Sequence, residues 1–149
     1  MFRKGTTLAA AVAAVVVAAA GLSFADEDSP MHQLMEKVTK DNNAIGKAVR
    51  SAVSYKKSQK DLPALAESLV KLGKEARDLP DAKKEVEKAK KSMGEWTGLM
   101  DDFIKKTEDF KSLVSKPGTT QSQAKSSHTQ VKTACANCHT VFRLEDIEQ

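Results

Sequence analysis

Strand patterning is missing from this chain: nowhere do apolar and polar residues alternate over the four to eight positions that mark a half-buried β-strand. No segment repeats itself, which excludes solenoid and propeller architectures. There is no arginine-rich patch with interleaved aromatics, so the composition offers no footprint for nucleic acid. No Ser/His/Asp arrangement, paired-carboxylate site or glycine-rich phosphate loop is present, and we do not read the chain as an enzyme. Cysteine is scarce, with two residues in 149, so no disulfide framework can carry the fold.

What is present begins with a leader. Arg3 and Lys4 form a basic start, and Leu8 to Ala20 is an unbroken run of Leu, Ala and Val. Ser23-Phe24-Ala25 then supplies small residues at the −3 and −1 positions. This is the layout of a secretory signal peptide over residues 1–25, with cleavage expected after Ala25 and export to the periplasm. The alternative is a membrane anchor, since Thr6 to Ala25 is long enough to span a bilayer. Against it, the run is alanine-rich and is followed by Asp26, Glu27 and Asp28 rather than by a basic stop-transfer cluster. We therefore expect no stable membrane insertion after cleavage.

The exported part, residues 26–149, is long enough for one small domain. It loses Arg3 and Lys4 but keeps all 20 acidic residues, so its formal charge is +2 rather than +4. Helical periodicity runs through it. Ser29 and Pro30 open a first helix whose apolar face is Leu34, Met35, Val38, Ile45, Val49, Ala52 and Val53, reaching to about Ser58. Asp61 and Pro63 open a second, with Leu62, Leu65, Leu69, Leu72 and Ala76 as its stripe, ending at Leu79-Pro80. Asp81 opens a third with alternating steps of three and four, from Val86, Ala89, Met93 and Trp96 through Met100, Phe103, Thr107 and Phe110 to Val114. That 3.5-residue period predicts one unbroken helix to Ser115, packed at a shallow angle, with Met93 and Trp96 in the core. Lys116-Pro117-Gly118 stops it.

The fourth helix starts in the Ser/Thr/Gln-rich stretch from Thr119 to Ser127, where we expect a loose first turn. Its inward face is read as Ala124, Val131, Ala134, Cys135, Cys138, Val141 and Phe142, and the alanines at 134 and 136 leave room there. His128 is expected to be solvated. Glu145 to Gln149 is a polar tail. The sum is an all-α fold, an antiparallel four-helix bundle.

Near the end of the fourth helix lies Cys135-Ala136-Asn137-Cys138-His139. C-x-x-C-H is the attachment signature of a c-type haem. On a helix, positions i and i+3 share a face about 5–6 Å apart, so both thiols can reach the two vinyl groups of one porphyrin. His139 is then carried under the ring as a proximal iron ligand. Three other readings of the pair are a disulfide, a thioredoxin-like redox motif and a zinc site. The first fits helix geometry poorly, the second lacks its βαβ context, and the third must find further ligands.

The flanks, Lys132-x-x-Cys135-x-x-Cys138-His139-x-x-Phe142-Arg143, resemble the K-x-x-C-x-x-C-H-x-x-F-[RK] pattern of the cytochrome c-prime family, the class II c-type cytochromes. The C-terminal placement of the run and the four helices extend the resemblance over the whole exported chain. It implies an antiparallel bundle, one covalent haem c per chain, and a distal residue from the first helix over the iron. Leu34-Met35 resembles that region, so the resemblance puts Met35 at or near the distal position. Where relatives often carry an arginine just before it, this chain has Met31 and His32.

Family members with a Met ligand are electron carriers, and members with an open or blocked sixth site bind NO or CO. Both remain open here, with Met31 and His32 as other candidate ligands. Lys125, Lys132 and Arg143 are candidates to face an acidic redox partner. The resemblance also implies pairing through the first two helices. Their outer lysines, Lys37, Lys40, Lys47, Lys56, Lys57 and Lys60, oppose it, so we expect a monomer or a homodimer.

Overall fold

The computed structural model describes residues 29–142. The leader expected at 1–25, Arg143 and the tail at 145–149 lie outside them. The described chain is all-helical: α1 (Pro30–Ala48), α2 (Ala52–Ser58), α3 (Leu62–Asp78), α4 (Ala82–Lys88), α5 (Met93–Val114) and α6 (Gln121–Phe142). None of these helices is long and apolar enough to cross a membrane.

The longest helices form a packed series. α3 lies against both α5 and α1, α5 lies against α6, and α1 meets α6 more sparsely. Phe110, Ile45, Leu62, Leu69 and Val131 are fully buried where these elements meet. Thr107 is buried among them. Its hydroxyl donates to the Phe103 carbonyl at 2.8 Å, so it carries no unpaired polar group into the core. α3 and α5 approach closely at Gly73, where an added Cβ would stand 2.9 Å from the Phe103 ring and 3.0 Å from Ile104.

Two of the expected long helices are broken. The first stops at Ala48, and Ser51 then caps α2, its Oγ accepting the Ser54 N–H at 3.1 Å. The cap re-aims the chain, so Val53, expected on the buried face, is 68% exposed and Tyr55 is buried in its place. The Tyr55 hydroxyl donates to the Thr119 carbonyl at 3.0 Å, fastening α2 to the loop before α6.

The unbroken third helix is also corrected. α4 ends in a Schellman motif: the Lys91 N–H donates to the Val86 carbonyl and the Lys90 N–H to that of Glu87, both at 3.0 Å, with Lys90 in the left-handed region at φ 53°. α5 then starts from a capping box. Ser92 Oγ accepts the Glu95 N–H at 3.1 Å, and Glu95 Oε2 accepts the Ser92 N–H at 3.1 Å. Met93, at the first position of the new helix, is 37% exposed rather than core, whereas Trp96 is buried as expected. The apolar period runs on across the break, with Val86 buried before it and Trp96 after it, and periodicity does not register a cap.

The start of α6 is not loose. Gln123 Oε1 accepts the Thr120 N–H at 2.9 Å, and Thr120 Oγ1 accepts that of Gln123 at 3.3 Å. This reciprocal pair satisfies two end groups that poor helix formers leave open.

Candidate functional site

α6 carries Cys135, Cys138 and His139 on its last turns. Both thiols are free and half-buried, and both pack against the edge of the core. His139 is exposed, as are Ala136 and Asn137. Ala134 is therefore the inward alanine, and Ala136 is not. The turn of helix thus presents two sulfurs on its inner edge and an imidazole beside them on the open side.

Burial pushes both thiols up. Cys138 rises to about 11, with Cys135 as a like-charged neighbour adding to the effect, and Cys135 is raised by burial against its own backbone hydrogen bond. A dithiol built for exchange needs a depressed pKa to hold a thiolate at neutral pH, so these cysteines are poorly suited to a thioredoxin-like role. Zinc fares no better. Among the described residues no three His, Cys, Asp or Glu side chains converge on a metal-sized site, and a structural zinc needs about four ligands.

The register of α1 against α6 is fixed by two hydrogen bonds. Gln121 Nε2 donates to the Val49 carbonyl at 2.6 Å, and His128 Nε2 meets Asn42 Oδ1 at 2.8 Å. Seven residues forward on α6 correspond to seven backward on α1, so the helices run antiparallel with equal rise. A further seven residues bring Cys135 level with Met35, and by the same register His139 is level with Met31. Met35 is half-buried at the edge of the core and Met31 is buried. His32 is exposed and forms an i,i+4 pair with Glu36 at 3.7 Å, which draws it toward solvent.

Met35 and Val38 on α1, and Cys135, Cys138 and Val141 on α6, are all partly covered apolar side chains packed on the core rim. Along this seam α1 and α6 touch sparsely. The donors on this rim, two thiols one turn apart and an adjacent imidazole, are the set that haem c takes. Trp96 of α5 meets Phe142 of α6 edge-to-face, 5.2 Å between ring centroids, with Trp96 Nε1 donating to the Arg77 carbonyl at 3.3 Å.

His128 was missed as a structural residue. It is 5% exposed rather than solvated, seated against Phe110 with ring centroids 5.9 Å apart. Gly46 lies beside it, where a Cβ would be in ordinary contact, 3.4 Å from His128 Cε1. Burial, with Lys132 nearby, lowers its pKa to about 4, so the ring is neutral at pH 7. The spacing Ala124, His128, Val131, Ala134 was the available signal, with His128 on the inward stripe of α6.

No family model matches the chain, and comparison with curated proteins and with solved structures finds no match either.

Proposed function

We propose that this is a periplasmic c-type cytochrome of the cytochrome c-prime kind, a four-helix bundle that transfers electrons through one covalent haem. The observation that carries the reading is the C-x-x-C-H turn, with two free thiols on the rim of the core and an exposed imidazole next to them. Cys135 and Cys138 would hold the group through thioethers, and His139 would offer its imidazole nitrogen to the iron. Haem, when bound, supplies the iron couple that takes up and releases one electron. Met35, level with Cys135 in the register of α1 against α6, would offer a thioether as a second ligand. Methionine suits that position because it is unbranched and polarisable, and a thioether ligand favours the reduced iron and raises the potential. Acidic redox proteins are the partners expected for the lysine-bearing α6 edge.

The test is spectroscopic. The exported chain, produced with a c-type haem maturation system, should give a pyridine haemochrome with covalent haem that Cys135→Ala, Cys138→Ala abolishes. The oxidised protein should be low-spin, and Met35→Ala should make it high-spin and open to CO. Absence of covalent haem sinks the whole reading. A native high-spin protein that takes up CO replaces the electron carrier with a binder of NO or CO.

A further inference from the structure

Charge is divided unevenly over this molecule. Residues 61–116 hold twelve basic and twelve acidic side chains, and their ion pairs include Lys74–Glu108, Arg77–Asp101 and Lys105–Asp109. The described remainder, 29–60 and 117–142, holds nine basic residues against two acidic ones, Glu36 and Asp41. Four of those nine basic residues line one concave place. A cleft of about 330 Å³ lies between α1 and α6, lined by Lys47 and Arg50 from one wall and Lys125 and Lys132 from the other, with no carboxylate in its lining. None of the four cations is paired with a carboxylate among the described residues.

The floor of the cleft adds directed donors. Asn42 Oδ1 is an acceptor only, so the His128 nitrogen 2.8 Å from it is the N–H donor. That bond fixes the amide with its oxygen toward the ring and its NH₂ group free to donate elsewhere. Asn42 is itself half-buried and lines the cleft. Four cations on two facing walls, with an oriented amide between them, make a site for a compact multivalent anion.

We propose that the α1–α6 cleft binds a small phosphate-class oxyanion, either free phosphate or a phosphate ester. The site is distinct from the cysteine turn. His128 precedes Cys135 by seven residues, ~10 Å along the helix.

The experiment titrates inorganic phosphate into the full exported protein at fixed ionic strength, following ¹H–¹⁵N NMR. Shifts should centre on the Asn42 side-chain amide and the Thr129 and Lys132 backbone. Lys47→Gln, Lys125→Gln should weaken binding about tenfold, as expected for losing two partly exposed charge contacts. Lys105→Gln, Lys106→Gln, on the balanced half, should leave it unchanged. A parallel titration with glycerol 3-phosphate separates free phosphate from an ester, the tighter binder naming the source. Equal losses in both double variants, or shifts spread over both halves, reduce the effect to diffuse screening and overturn the site. So does the absence of shifts, or binding to phosphatidylglycerol vesicles without any response to phosphate. No arm of this test reads haem, so it fails or succeeds independently of the electron-transfer reading.

Discussion

Replacing His128 with Gln separates its packing from its titration. In the folded protein the ring is buried against Phe110, beside Gly46 and Asn42, with Lys132 on its own helix and Lys47, Arg50 and Lys125 on the cleft walls. Burial and the Lys132 charge outweigh the Asn42 hydrogen bond, which alone favours a second proton, and the pKa falls to about 4 from the ordinary 6.5. The unfolded chain therefore binds the proton more readily than the folded one. The stability linked to His128 is complete above pH 6.5, falls as pH drops below it, and levels off below pH 4. At 1.36 kcal/mol per pKa unit, wild type should lose about 2 kcal/mol between pH 7 and 5 from this residue, and about 3 by pH 4. For a domain of this size that is a fall in Tm of roughly 6–10 °C by pH 5.

Gln keeps a donor for Asn42 but cannot titrate. It should cost about 1–2 kcal/mol at pH 7 through lost contact with Phe110. The two stability curves should then cross, the variant becoming the equal of wild type or better at pH 5. Urea melts followed by far-UV circular dichroism at pH 7, 6 and 5 would show it. Glu67 and Glu95 are held below the usual carboxylate value by Lys111 and by Ser92 respectively. Their contribution is present above pH 4.5 and lost only below it, outside the measured window. Parallel curves for the two proteins would refute the argument that burial holds this imidazole neutral.

Lys90→Gly should stabilise the protein by about 1 kcal/mol, because the left-handed C′ position of the Schellman motif costs a side chain that glycine lacks; an unchanged denaturation midpoint would count against it. Gly73→Ala should destabilise by about 1 kcal/mol, since ~1–3 kcal/mol of overpacking against Phe103 and Ile104 exceeds the ~1 kcal/mol gain in helix propensity, again read from urea midpoints. Trp96 emission should be strongly quenched in the haem-loaded protein and restored in Cys135→Ala, Cys138→Ala, because Trp96 meets Phe142 edge-to-face, four residues past Cys138; equal emission from both would argue that haem does not sit along this seam.

The all-helical fold follows from short-range chemistry, and the sequence alone determined it. Apolar spacing marks the inward stripes, Ser29 caps α1, Lys116-Pro117-Gly118 stops α5, and the covalent spacing of Cys135, Cys138 and His139 marks the candidate site. Even the break at Ser92 was written locally, as Ser92-x-x-Glu95, but a continuous heptad masked it because the stripe resumes in phase. What only the tertiary structure decided depends on which helix faces which. The Ser51 cap turns Val53 outward and Tyr55 inward because Tyr55 finds the Thr119 carbonyl, far away in the chain. His128 is core because Phe110 on α5 covers it and Asn42 on α1 gives it a partner. The level of Met35 against Cys135 rests on a register set by two side-chain hydrogen bonds between helices at opposite ends of the described chain. The cationic cleft exists for the same reason: residues far apart in sequence share a surface only once α1 and α6 lie side by side.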